Sequence, residues 1–237
     1  MATVAEISLF IEMIAPLAQK AYRTLGKVKP SVCIGMACIE SAYGTSQIMK
    51  KHNAYFGQKV GTGKTAVKYW SMKFFTSSTK EEYTLGRHTT IRAAFRAYDS
   101  AEQSVFNYYE LLNTSLYAKV LATSNYREQM QQIKACGYMT SSTEVNSVIA
   151  IIEKYGLTKY DVMGNPYTLT ADTIKRGDRG DSVKWLQFQL VALNGAILDI
   201  DGVFGEQTEK AVIKYQEAKG LEVDGIAGEQ TIKSLGG

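Results

Sequence analysis

Cys38-Ile39-Glu40-Ser41-Ala42-Tyr43-Gly44-Thr45-Ser46 decides the reading of this 237-residue chain. Upstream of it, Pro30-Ser31 opens an apolar run, Val32 to Ile39, and a proline in the first turn followed by such a run predicts a helix that Gly44 closes. Glu40 then falls near the C-terminal end of that helix, with Ile34, Ala37 and Cys38 as an apolar wall beside it. The negative end of the helix dipole and the loss of water both favour the protonated carboxyl. A carboxyl kept protonated near neutral pH is what a general acid needs to protonate a leaving glycosidic oxygen. On position alone, a solvated acid at a helix end is the better reading.

Working outward, helical signals dominate up to about residue 160. Ser100-x-x-Gln103 reads as a capping box ahead of Val105, Tyr108, Tyr109 and Leu112, and Ser141-x-x-Glu144 as a second one ahead of Val145, Val148, Ile149 and Ile152. Between about Val67 and Arg92, Tyr, Trp, Phe and Thr are dense and Gly86 separates two extended-looking runs, so a β-hairpin is expected inside an α domain. The stretch 163–173, with Gly164, Pro166 and several Thr, has no helical periodicity and reads as a linker. Beyond it, Asp201-Gly-Val-Phe-Gly-Glu-Gln-Thr208 recurs as Asp224-Gly-Ile-Ala-Gly-Glu-Gln-Thr231. Two Asp-Gly turns, each leading into a helix, and a further helix over Val183–Leu193 predict a small three-helix module. The expected domains are therefore 1–162 and 174–237.

Composition narrows the function classes. Apolar residues make up 45% and charged residues 21%, which suits a folded chain and not a disordered one. Residues 1–165 carry 19 basic and 12 acidic side chains, whereas 166–237 carry 8 and 11. A basic first half suits an anionic polymer, and an acidic second half must bind by shape if it binds the same polymer. His52 and His88 are isolated, with no HExxH and no CxxC, so no metal site is expected. Gly61-Thr-Gly-Lys-Thr65 lacks the first glycine of a phosphate-binding loop, because Gln58 stands there. The acidic cluster at Asp199 and Asp201 has Ile197 and Thr208 where a calcium loop needs acidic ligands. No cofactor is expected. The apolar run from Val4 to Ala18 is broken by Glu6 and Glu12 and has no basic residue before it. It makes a poor secretion signal, giving a protein made in the cytoplasm, with reduced thiols, that acts outside it only after release. Cys33, Cys38 and Cys136 read as small apolar residues.

The stretch from Phe10 to Ser46, followed in order by Asn53-Ala-Tyr-Phe-Gly-Gln-Lys59, Glu82-Tyr-Thr-Leu-Gly86, Phe95-Arg-Ala-Tyr-Asp-Ser100 and Cys136-Gly-Tyr-Met-Thr140, resembles the glucosaminidase domains of glycoside hydrolase family 73. Such domains occur in bacterial autolysins, flagellar peptidoglycan hydrolases and phage endolysins. The resemblance implies a mainly α fold, a lysozyme-like domain with a small β-hairpin lobe, and a peptidoglycan hydrolase. It makes Glu40 the catalytic acid and matches Glu82, ahead of the hairpin glycine, to a second acidic residue; Glu81 would point to the opposite face. Tyr138 matches a tyrosine that lines the family's cleft, although the family's Gly-Tyr-Ala-Thr-Asp here reads Gly-Tyr-Met-Thr-Ser, which withdraws any role carried over to Ser141. Tyr55, Phe56 and Trp70 offer flat faces for pyranose rings along the sugar path, or equally good core packing. The C-terminal module resembles a three-helix peptidoglycan-binding domain.

The expected reaction is hydrolysis of the β-1,4 bond after N-acetylglucosamine by a monomeric endolysin, with peptidoglycan as partner and neither nucleic acid nor membrane insertion. Cleavage of the other bond, by a muramidase or lytic transglycosylase, is the runner-up. A cysteine amidase would need Cys33, Cys38 or Cys136 beside His52 or His88, and a wall-binding protein without catalysis would need none of these carboxyls.

Overall fold

The computed structural model describes the chain except residues 1, 62–65, 85–86, 140–142, 162–163, 195 and 197, and the side chains at 80–84, 87 and 88 also fall outside it. The chain divides into two compact units, residues 1–161 and 162–237.

In the first unit, α1 (Val4–Leu25) begins with a reciprocal cap between Thr3 and Glu6. It buries Ile7, Phe10, Ile11, Ile14, Leu17, Ala18 and Ala21, the spacing of a helix that meets a core along one face. It packs on α2 (Pro30–Glu40), whose residues from Pro30 through Cys38 are all buried. Lys29 offers α2 no side-chain cap. The carboxylate of Asp161 instead accepts the Ser31 backbone N–H and hydroxyl, both at 2.8 Å. Burial raises the Asp161 carboxyl above its ordinary value, against the lowering effect of those Ser31 bonds.

After α3 (Gln47–His52) the chain reaches an antiparallel hairpin, β1 (Phe74–Thr84) and β2 (Arg87–Arg96), in register from Phe74 opposite Arg96 to Glu82 opposite His88. The hairpin expected over 67–92 is present but displaced towards the C-terminus. Residues 67–73 instead form turns ahead of it, held by bonds from the Lys68 and Tyr69 N–H groups to the Glu110 carboxylate. The base of the hairpin is tied to the helices. Phe75 and Phe95 pack with Ala54 and Ala97, and His52 stacks on Phe75 at 4.4 Å. The segment at 58–60 forms an isolated antiparallel bridge to β2 at Lys59 and Phe95, through Arg96 N–H to Gln58 C=O at 2.8 Å and Val60 N–H to Ala94 C=O at 2.9 Å.

Helices α4 (Ala101–Leu112), α5 (Ala118–Leu121), α6 (Tyr126–Ala135) and α7 (Glu144–Lys154) complete the unit. Ser100 caps α4 as expected, accepting the Gln103 N–H, while the Gln103 carboxamide takes the Asp99 N–H rather than reaching back to Ser100. Of the second expected box, Ser141 lies outside the described residues; helix α7 opens at Glu144, with Thr143 as N-cap. Helix α7 crosses α2 at Gly35, where a methyl group would stand 2.9 Å from Val148 Cγ1. All three cysteines are free thiols, Cys33 and Cys38 fully buried.

The second unit holds α8 (Asp181–Asn194), α9 (Glu206–Lys219) and α10 (Glu229–Ser234). Each Asp-Gly turn is clasped by a buried glutamine. Gln187 donates to Asp201, the Val203 carbonyl and Thr208, and accepts from the Gly202 N–H. Gln216 does the same to Asp224, the Ile226 carbonyl, Thr231 and Gly225. The repeated turn residues thus have a structural function. The described part of the expected linker is packed on α8 rather than loose: Asn165 donates to the Trp185 carbonyl, the Tyr167 ring meets Phe188, and the Thr170 N–H bonds Ser182. Tyr167 and Leu169 supply apolar surface that the Pro/Gly/Thr-rich composition concealed. No helix among the described residues is long and apolar enough to cross a membrane.

Candidate active site

Helix α2 ends at Glu40, and the chain then turns sharply. Ser41 donates its hydroxyl to the Ala37 carbonyl at 2.6 Å and accepts the Gly44 N–H at 2.8 Å. Ala42 and Tyr43 take the left-handed conformation, with φ of 50° and 56°, an arrangement costing roughly 1–2 kcal/mol per residue. A side chain at Gly44 would run into the Phe10 ring, at 2.4 Å. Serine and glycine after Glu40 are therefore both needed to turn the chain away immediately and leave the carboxyl at the end of the helix.

Glu40 opens onto a cavity of about 570 Å³. Its walls come from Ile39 and Glu40 of α2, Phe56 to Lys59, Ser77 to Thr79 of β1, Gly137 to Met139, and Thr143, Glu144 and Ser147 at the start of α7. Gly57, at φ 57°, passes so close to the carboxyl that a methyl group there would stand 2.7 Å from Glu40 Oε2. The backbone at Gly57 is held from the other side by Tyr138, whose hydroxyl donates to the Phe56 carbonyl at 2.9 Å. Tyr138 also meets Tyr108 edge-on at 5.6 Å. Burial pushes the Tyr138 phenol well above its ordinary value, so it remains a hydrogen-bond donor.

The structure brings Glu40, Tyr138 and Phe56 to one cavity. Phe56 is 2% exposed and stacks on Tyr108 at 4.2 Å, so its ring is core and the backbone beside it serves the site. Tyr55 and Trp70, expected along the sugar path, are buried and do not line the cavity. Tyr55 packs on Phe10 at 5.7 Å. Trp70 donates its indole N–H to the Lys73 carbonyl and lies under the Arg96 guanidinium at 4.4 Å. Arg96, 1% exposed, needs that aromatic face and the Ala66 and Asn107 oxygens as substitutes for water. The backbone of Glu82 pairs with His88 in the hairpin, but its side chain lies outside the described residues. Two features were missed from sequence: Gly57 as the neighbour of Glu40, and Glu144 in the cavity wall. The fragment Asn53-Ala-Tyr-Phe-Gly57 carried the first, and the capping pattern hid the second. Among the described residues no cluster of His, Cys, Asp and Glu could hold a metal ion.

Residues 179–235 match the model of a putative peptidoglycan binding domain. Exo-glucosaminidase LytG of Bacillus subtilis (strain 168) is 31% identical over 173 residues, 70% of this chain and 57% of that protein. A probable N-acetylmuramidase of Lactococcus lactis subsp. lactis (strain IL1403) is 32% identical over 161 residues, 64% of this chain and 34% of that protein. The chain thus spans little more than half of the first relative and about a third of the second. The catalytic domain of the autolysin Auto from Listeria monocytogenes superposes with a TM-score of 0.55 at 25% identity, over 68% of this chain and 90% of that domain. Residues 15–157, which include every residue lining the cavity, match the glucosaminidase family model, described as mannosyl-glycoprotein endo-β-N-acetylglucosaminidase, and the chain belongs to that family.

Proposed function

We propose that the first unit is a peptidoglycan hydrolase that cleaves the β-1,4 bond on the reducing side of N-acetylglucosamine, with Glu40 as general acid. The observation that carries the reading is the Glu40 carboxyl at the end of α2, crowded by Gly57 and facing a cavity of about 570 Å³. Glu40 gives its proton to the bridging oxygen as the bond from that oxygen to the anomeric carbon breaks, and water supplies the new hydroxyl. Tyr138 acts through the Phe56 carbonyl to hold Gly57 against the acid. The match of the second unit to a peptidoglycan binding domain supports a tethering role, which raises the local concentration of the acid on the polymer. The extra positive charge of residues 1–165 would assist at anionic wall polymers.

Glu40→Gln tests the assignment. It should lower wall lysis by about 10²-fold or more while leaving thermal unfolding and wall binding unchanged; native lysis by this variant would remove Glu40 from the mechanism. Mass spectrometry of borohydride-reduced digests identifies the bond. Reduced N-acetylglucosamine ends are expected. Reduced muramic acid ends would instead favour the muramidase reading, to which the Lactococcus relative's name points, and anhydro ends a transglycosylase.

A further inference from the structure

Hydrolysis with inversion needs a second group to activate the attacking water, whereas with retention the substrate's own acetamido group can attack, and the described lining of the cavity contains two carboxylates, Glu40 and Glu144. We propose that Glu144 is that group: its carboxylate takes a proton from the water whose oxygen attacks the anomeric carbon, while Glu40 protonates the departing oxygen. The inference rests on the reading of Glu40 given above.

Three observations support it. Glu40 is the last residue of α2 and Glu144 the first of α7. A helix dipole disfavours charge at its C-terminal end and favours a carboxylate at its N-terminal end, so one cavity holds two carboxyls in opposite fields, the arrangement that separates an acid from a base. The helices also set the spacing. They touch where Gly35 meets Val148 and Ile152. Glu40 lies five residues beyond Gly35 and Glu144 four before Val148, which is roughly 6–8 Å along each axis at 1.5 Å per residue. Both carboxyls open into the same cavity, so they lie on one side of that crossing. The crossing carries both carboxyls past the same contact to one cavity, and inversion would require them about 6.5–9.5 Å apart with a water between them. Finally, Lys59 lines the same cavity, a cation whose field favours a charged carboxylate there over a second neutral one.

The step balances. A C–O bond forms between water and the anomeric carbon, the glycosidic C–O bond breaks, the water's proton goes to Glu144 and the proton of Glu40 goes to the leaving oxygen. The configuration inverts.

The experiment uses the full chain and soluble glycan strands of alternating N-acetylglucosamine and N-acetylmuramic acid. The new reducing end should first appear by NMR as the α anomer. Glu144→Ala should lose about 10²-fold or more in kcat, with little change in KM or in thermal unfolding. Added azide should restore turnover and yield an α-glycosyl azide, an effect that a purely structural residue would not give. Glu144→Ser provides the same readout if the alanine variant folds poorly. A loss below about tenfold, an initial β anomer, or azide product from Glu82→Ala in place of Glu144→Ala overturns the assignment. Those outcomes leave Glu40 as the acid. Wild-type protein that releases no reducing ends, or Glu40→Gln that still does, overturns the parent reading instead.

Discussion

At Gly57 the backbone passes close to the proposed acid, and that explains why the position must lack a side chain. Gly57→Ala would place a methyl group 2.7 Å from Glu40 Oε2 on a backbone with φ of 57°. The carboxyl, at the free end of its side chain, would move before the backbone did. Activity should therefore fall by tenfold or more while the thermal midpoint drops by only a few degrees, the effect of about 1 kcal/mol in a chain of this size; kcat measured beside calorimetry checks the split. A different residue governs acid sensitivity in the second unit. The Ile226 N–H and then the Gln216 side chain hold the Asp224 carboxyl below its ordinary value of 3.8. A depressed folded-state pKa means stabilisation that is complete above the ordinary value and is lost as the pH falls through the lower folded-state value. Asp224→Asn should flatten that acid limb, which denaturant midpoints at neutral and acidic pH would reveal. Individual roles were only partly legible in the sequence. Glu40 was visible because its helix, its serine and its glycine all lie within a few residues of it. Trp70 and Tyr55 were not, because an aromatic ring under Arg96 or against Phe10 has the same letters as one facing a sugar. Glu144 was hidden because Ser-x-x-Glu has a sufficient local explanation.

The elements succeed or fail by how closely they approach each other. Helices α2 and α7 can bring their opposite ends to one cavity because Gly35 offers no side chain at the crossing. Gly35→Ala improves helix propensity yet forces Val148 aside, so a net loss of about 1–3 kcal/mol is expected, together with reduced activity; the combination distinguishes it from a surface substitution. In the second unit the same clasp is built twice from α8 and α9. Gln216 is 1% exposed, and Gln216→Ala would strip the buried Gly225 N–H of its acceptor, costing about 1–3 kcal/mol in urea melts of that unit. The turns themselves were plain from the repeated Asp-Gly-x-x-Gly-x-x-Thr. Their partners were not, since Gln187 and Gln216 lie outside the repeated octapeptide and only the folded helices bring them to it. The hairpin was legible as a kind of element but not in its limits, because the aromatic residues at 69–70 serve the helical core rather than a strand.

On the scale of the whole chain, function divides between a unit with a cavity and a unit without catalytic carboxyls assigned to it. Removing residues 166–237 should weaken co-sedimentation with wall fragments while the remaining 1–165 keeps cleaving soluble glycan strands; equal pelleting of both forms would dissociate the second unit from wall attachment. The two tryptophans of the chain fall one to each unit, Trp70 beneath the Arg96 guanidinium and Trp185 within α8, at 6% and 5% exposure. Nature has thereby supplied a two-channel fluorescence reporter. With Trp185→Phe the emission follows only the melting of the first unit, and with Trp70→Phe only that of its companion. The order in which heat or denaturant dismantles the two halves is open to measurement with no dye attached.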